Sequence, residues 1–412
     1  MSALTINPIR LSAPMGAMLA FLGVKGCMPL MHGAQGCASF SKVFFTRHFH
    51  DPIPVQTTAV SDITAIMDGG DKIVAESIDN ILKKISPDLI GLISVGLTET
   101  KGDDLRAIAS RLKQRTVWVS APDYHGGLES GFAMAATAII EQIVKPLEID
   151  QKLIALLPHA SMTPLDVESL KETIESFGFE CVAVPDLSDS LDGHLGEKQG
   201  QMTQGGAPLE AIERVGGAYA AIAIGASMKT PLDALCRINP RVKSFHFDSI
   251  GGLQASDKLI AALTALSGKE PCAKIKRWRS RLADMLLDTH FVLGKQKVAI
   301  ALEADHAISV ANTLSEAGAK ILIVAPTPEC ALDRSGYEYE CEGLFWLEQN
   351  ADRWDMLVCG THGEAMCRRL RKPHLQAGFP QWERVGSQLD VSIGYEGSAR
   401  ALMGANNGAS EH

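Results

Sequence analysis

The chain has 412 residues, 46% of them hydrophobic and 21% charged, the balance of a folded globular protein. That excludes a disordered chain, a collagen and a small disulfide scaffold, and the length predicts two to four domains, with three at the centre. With 39 basic against 48 acidic residues the net charge is -9, so a phosphate backbone is not the expected partner and no nucleic-acid function is anticipated.

In chain order, the first apolar segment is Leu11–Val24, 14 charge-free residues, matched in length by Val215–Met228. A membrane helix needs about 18–20. Both segments contain glycine and fit core elements. The first has no small-x-small cleavage site before Lys25, and only Arg10 precedes it as a basic residue, so it does not read as a signal peptide. No membrane association is expected. An odd count of nine cysteines, scattered without a secretory signal, predicts free thiols in a reducing compartment, hence a cytoplasmic protein.

Short, continuously apolar runs then alternate with longer amphipathic ones. The strands expected are Leu89–Val95, Val117–Ser120, Leu153–Leu157, Cys181–Val184, Ala220–Ile224, Val298–Leu302, Ile321–Ala325 and Met356–Cys359. Runs of this kind are strands buried on both faces of a parallel sheet. Helices are expected over Asp71–Ile85, Asp103–Lys113, Leu128–Val144, Pro164–Phe177, Pro208–Val215, Leu253–Leu266, Ile275–Leu293, Ala304–Ala317 and Glu364–Arg371. Thr163-Pro164 supplies an N-cap oxygen and a proline at the first helical position, while Gly178 and Gly318 fit left-handed C-caps. The alternation breaks near Lys145–Lys152 and at the basic helical stretch Cys272–Leu293. The expected architecture is α/β, with three Rossmann-like lobes of parallel sheets flanked by helices: 1–148, 149–294 and 295–412.

Searches for familiar chemistry mostly fail. The chain has no GxxxxGKS/T loop, no GxGxxG after a strand, no HExxH, no CxxC, no EF-hand loop and no GxSxG. The informative segment is Pro29–Phe40, where Gly33 and Gly36 flank Gln35 and Cys37 opens a helical pattern through Phe40, Val43 and Phe44. A thiol at a helix N-terminus is favoured as thiolate, the form that binds iron or zinc. The glycines let backbone approach a bulky group closely. Cys37 is therefore a candidate metal ligand or reactive thiol, and the competing reading is a structural cysteine in a glycine-rich turn. Cys27 is ten residues from Cys37, Cys330 eleven from Cys341, and Cys359 eight from Cys367, too dispersed for a one-chain cluster. Cys181, Cys236, Cys330 and Cys359 sit in core-like patterns. If iron–sulfur chemistry exists here, other ligands come from another chain.

Several stretches together resemble the β-type subunits of the nitrogenase component 1 superfamily. They are His32-Gly33-Ala34-Gln35-Gly36-Cys37, Phe44–Phe49, Pro54–Ala59, Gly96–Leu105, Pro185–Leu195, Leu287-Asp288-Thr289-His290-Phe291 and Ala377–Gln381. Within the superfamily the chain is most similar to the NifN family, β-like subunits of the NifEN scaffold on which the iron–molybdenum cofactor of nitrogenase matures. The catalytic β subunit uses three cysteines on its side of an eight-iron cluster. The positions matching by motif are Ala13, Cys37 and Leu97, so only one thiol is present.

The resemblance implies that Cys37 completes a four-iron four-sulfur cluster shared with a NifE-like partner in an α2β2 heterotetramer. It also implies that the partner chiefly holds the iron–molybdenum cofactor precursor. A NifB-type donor would deliver that precursor, and the nitrogenase iron protein would supply electrons and metal. The chain would then be no enzyme on its own. The alternatives are a β-like subunit of a catalytic reductase (nitrogenase or the dark-operative protochlorophyllide reductase), the vanadium-system scaffold homologue, or a metal-free α/β interaction protein. Arg47, His48 and His50 read as a docking or charge-screening patch, or simply as a solvated helix end. Asp103 and Asp104 read as helix starters, Asp192-Gly193-His194 as a polar loop, and His290 as a core or interface histidine. His159, His362 and Glu364 have no partner visible in the sequence.

Overall fold

The computed structural model describes residues 7–45, 53–60, 70–194, 202, 205–328, 330–381 and 384–410. The first lobe runs α1 (Ala13–Leu22), β1 (Cys27–His32), α2 (Gln35–Phe45), β2 (Gln56–Thr57), α3 (Gly70–Leu82), β3 (Leu89–Ser94), α4 (Gly96–Lys101), α5 (Leu105–Arg111), β4 (Thr116–Val119) and α6 (Leu128–Ile143). The second runs β5 (Asp150–Leu157), α7 (Pro164–Ser176), β6 (Glu180–Ala183), α8 (Leu209–Arg214), β7 (Ala218–Ile224), α9 (Lys229–Ile238), β8 (Lys243–Phe247), α10 (Leu253–Ser267) and α11 (Ala273–Leu293). The third runs β9 (Lys297–Ala301), α12 (Ala304–Glu316), β10 (Lys320–Ala325), α13 (Cys330–Ser335), β11 (Glu338–Cys341), α14 (Leu344–Gln349), β12 (Met356–Cys359), α15 (Glu364–Leu370), β13 (His374–Gln376) and α16 (Gly394–Ser410).

Each lobe is built on its own sheet, with strand orders β2-β1-β3-β4, β6-β5-β7-β8 and β11-β10-β9-β12-β13. Every strand pair is parallel. The expected α/β architecture of three parallel sheets is therefore present. All eight anticipated strands occur, with ends displaced by at most a few residues. The Thr163 hydroxyl accepts the Asp166 N–H, and Gly178 and Gly318 adopt left-handed φ of 91° and 92°.

Five strands were not anticipated: β1, β2, β8, β11 and β13. In β1 the obstacle is Pro29, which lacks the N–H of a ladder. β2 pairs only with Leu30 and Met31, so at Pro29 one flank of β1 carries no ladder from it. The Leu11–Val24 segment contains α1, buried at every residue. A helix apolar all round belongs inside a protein. It lies against α6 at a separation that only glycine permits. A methyl on Gly16 would stand 1.9 Å from the Leu128 carbonyl oxygen, and one on Gly131 1.9 Å from that of Ala13.

The cores run across lobes. One joins α1, α6 and the first sheet to β5 and β7, and another joins the second sheet to α12, the third sheet and α16. Among the described residues, no helix is long and apolar enough to cross a membrane.

Candidate metal-ligand site at Cys37

The strands β1, β3 and β4 are neighbours and parallel, so the loops after them share one edge of the first sheet. Ligands of open α/β sheets gather at this carboxyl edge. The loop after β1 leads into α2, where Cys37 is the third residue. Its N–H donates to the Ala34 carbonyl at 3.2 Å, and Ser41 Oγ donates to the Cys37 carbonyl at 2.9 Å. Cys37 is half-buried, and a methyl on Gly36, the residue before it, would meet nothing within 4 Å among the described residues.

The edge is held by a set of hydrogen bonds that single out His32, a residue the sequence reading passed over. His32 closes β1, fully buried. Its Nδ1 lies 3.0 Å from Thr58 Oγ1 and its Nε2 3.0 Å from Asp103 Oδ2, while its carbonyl accepts Thr98 Oγ1 at 2.8 Å. The Gly33 N–H donates to Thr58 Oγ1 at 3.1 Å, and Thr57 Oγ1 donates to the Gly33 carbonyl at 2.9 Å. Glu99 takes hydroxyl donors from Ser94 and from Ser120, the latter at 2.7 Å, tying the ends of β3 and β4. Gly96 N–H donates to Asp123 Oδ2 at 3.2 Å.

Asp123 also faces Cys37 electrostatically. Burial first, and the Asp123 carboxylate second, push the Cys37 thiol up, against the smaller pull of the N-terminal backbone groups. The expectation of a dipole-stabilised thiolate thus does not hold for the chain by itself. The helix-start contacts are present, but desolvation and a neighbouring anion outweigh them. A bound cation is what would reverse that order.

The residues present fit a shared cluster and no more. Ala13 is fully buried at the start of α1, beside Gly131, and Leu97 is 42% exposed on α4. Neither can ligate iron. Cys27 is the first residue of β1 and so lies at the opposite edge of the sheet, about 16 Å of strand from the loop that carries Cys37. Cys27 and Cys181 are buried, with their thiols pushed far up by desolvation. Cys359 and Cys367 are buried, and desolvation pushes their thiol pKa values up to about 12 and about 11. Cys236 packs half-buried on a core, and Cys272 and Cys341 are exposed. The side chain of Cys330 lies outside the described residues, as do Arg47, His48 and His50 entirely.

Of the other candidates, Asp104 is the N-cap of α5, accepting Ala107 N–H at 3.0 Å, whereas Asp103 serves His32. His194 contacts Asp192 in an exposed turn. His290 Nδ1 sits 3.1 Å from the Ala317 carbonyl, a packing role. His362 and Glu364 are exposed.

At the same sheet edge, Phe40 (63% exposed) and Val43 (54%) stand on α2, Leu97 on α4 and Tyr124 (67%) after β4. Exposed apolar groups of this size mark an interaction surface.

The family model described as nitrogenase component 1 type oxidoreductase matches residues 12–408. The chain belongs to this family. It is 36% identical to the nitrogenase iron-molybdenum cofactor biosynthesis protein NifN of Nostoc sp., over 98% of this chain and 93% of that protein. It is 37% identical to the protein of the same name in Mesorhizobium japonicum, over 98% and 90%. A solved structure described as nitrogenase Cp1 at pH 6.5 superposes with a TM-score of 0.92 at 26% identity, covering 100% of this chain and 94% of that one. The nitrogenase component 1 fold accounts for all three sheets, and the NifN relatives extend across nearly the whole chain.

Proposed function

We propose that the chain is the β-like subunit of a scaffold for iron–molybdenum cofactor biosynthesis. In this reading it pairs with a NifE-like subunit in an α2β2 heterotetramer in the cytoplasm. Cys37 supplies one thiolate to an interface four-iron four-sulfur cluster, and the partner supplies the others. One observation carries the reading: a half-buried thiol at a sheet edge that also carries exposed apolar side chains, with alanine and leucine where a full cluster half needs cysteines.

Cluster sulfur and iron would supply electron-transfer chemistry there. This chain's part is to orient the thiol through the His32 network and to exclude water with Phe40, Val43, Leu97 and Tyr124. The precursor sits mainly in the partner, delivered by a NifB-type donor, and the nitrogenase iron protein docks on the assembly. The chain alone is then not an enzyme. The catalytic-reductase alternative needs thiols at 13 and 97 for a nitrogenase, which this chain lacks.

The test is Cys37→Ala in the co-purified complex. The expected result is loss of the interface four-iron EPR signal and its iron from an assembly that still forms. A full signal in the variant removes Cys37 as ligand.

A further inference from the structure

A cavity of about 140 Å³ lies between the second lobe and the helix α16, and none of its lining residues belongs to the first lobe that carries Cys37. It is bounded by α7, α10, the first turns of α11 and residues 391–396 at the start of α16. Its walls are mainly apolar: Leu170 on α7, Leu259 on α10, Ile275 and Trp278 on α11, and Ile393 and Tyr395 at the head of α16.

Polar bonds brace these walls. The Tyr395 hydroxyl donates to Asp257 Oδ1 at 2.5 Å, and Arg279 grips the same carboxylate at 2.7 and 2.8 Å. The Arg281 guanidinium stands 4.6 Å from the centre of the Trp278 ring. The stretch leading into α16 is clasped by the buried Asp166 carboxylate, which accepts Ser392 N–H at 2.7 Å and Ser392 Oγ at 2.6 Å. Walls fixed in this way form the cavity in advance, which removes much of the ordering cost of binding.

The lining chemistry selects the guest. Three charged side chains line the cavity among the described residues, and all are matched: Glu172 with Lys274 at 3.2 Å, and Glu396 with Arg400 at 2.7 Å. An ionised guest would exchange its hydration for apolar walls and find no unmatched charge. The hydroxyls of Thr173, Ser176 and Ser256 donate to backbone carbonyls at 2.8, 2.7 and 2.9 Å. Their protons are spent, so what they offer is a lone pair, which suits a guest with a hydroxyl of its own. Two aromatic rings among aliphatic walls suit a flat ring. An apolar cavity of about 150 Å³ takes a benzene-sized molecule.

We propose that this cavity binds one small uncharged aromatic alcohol of the phenol class, its ring against Trp278, Tyr395 and the aliphatic walls and its hydroxyl donating to a serine or threonine oxygen. The site is independent of Cys37 and of any cluster. Because the second lobe and α16 both wall it, an occupant also ties the two together. Cys272, an exposed thiol among the lining residues, reports on occupancy.

The test uses phenol as probe on the full-length protein and follows maleimide labelling of Cys272 by peptide mass spectrometry. Cys341 is also exposed but sits on β11, outside the cavity, and is the internal control. The expected result is saturable protection of Cys272, about tenfold in rate at roughly ten times the dissociation constant, with Cys341 unchanged and the melting temperature raised. Benzoate, the same ring carrying a carboxylate, should not protect at the same concentration. Ile260→Phe and Thr173→Leu, both at lining positions, put carbon into the space and should each weaken or remove the protection. Cys272 labelling that ignores phenol, or is slowed equally by benzoate or in both filled variants, overturns the site. Should Ile260→Phe not fold, Thr173→Leu and the benzoate comparison still decide.

Discussion

At the end of β1 the ring of His32 is used on both sides, with Thr58 on one nitrogen and Asp103 on the other. Neither partner lies near it in sequence. The sequence separation of 71 between His32 and Asp103 is spanned only because β1 and β3 pair side by side. This part of the site was therefore not legible in the sequence, whereas Cys37 was, because flanking glycines and a helix start are local signals. Asp123 was missed for the same reason as His32. Burial lowers the His32 pKa below its ordinary 6.5, outweighing the pull of Asp103. A depressed histidine pKa contributes stability above the unfolded value that is lost as pH falls below about 6.5, by at most about 1.4 kcal/mol per pH unit. His32→Gln should cost about 1–3 kcal/mol near neutral pH by leaving buried partners unpaired. It should also flatten the fall in melting temperature between about pH 7.5 and about pH 5.5. Thermal unfolding of both proteins across that range checks this, and parallel curves would show that His32 does not titrate with folding.

Among the elements, what was legible depended on how far each is buried. Six of the eight anticipated strands are flanked on both sides within their sheets, where apolar runs announce them, and only β4 and β6 lie at an edge. β8, β11 and β13 are polar, half-exposed edge strands such as Glu338–Cys341, with one covered flank and no such run. α1 hid for the opposite reason: apolar on every side, it carries no helical stripe to detect. Its contact with α6 is the tightest test of the fold. Gly131→Ala places a methyl 1.9 Å from the Ala13 carbonyl, against backbone that has nowhere to go. The expected cost is about 1–3 kcal/mol, as for overpacking in a core. Gly408→Ala in α16 meets nothing within 4 Å and should be neutral or stabilising by about 0.5–1 kcal/mol. Denaturant unfolding of the pair reads the difference, and equal stabilities would mean that α1 and α6 separate easily.

Across the whole molecule, the sheets share cores instead of standing as beads. Long-range bonds bind the lobes further, such as Ser392 N–H to Asp166 Oδ1 at 2.7 Å and Thr163 Oγ1 to the Asp390 carbonyl at 2.6 Å. A body braced this way presents its exposed apolar groups as fixed surfaces. One group shares the sheet edge with Cys37, and another lies on α11 at Leu287 and Phe291, 71% and 78% exposed. If the Cys37 edge is where the α-like partner closes over a shared cluster, Phe40 is an aromatic anchor beside the ligand. Phe40→Glu then buries an unpaired charge at the centre of that contact. Loss of such an anchor costs about 2 kcal/mol or more, roughly thirtyfold in affinity, so the partner should no longer co-purify. The chain's own melting temperature should stay within about a degree, because Phe40 is 63% exposed and supports no core of its own. Phe291→Glu, on the other exposed patch, should leave pairing with the partner intact. Co-purification from cells expressing both subunits reads the two variants directly. If Phe291→Glu releases the partner and Phe40→Glu does not, the partner sits on α11 and the Cys37 edge is not the shared interface.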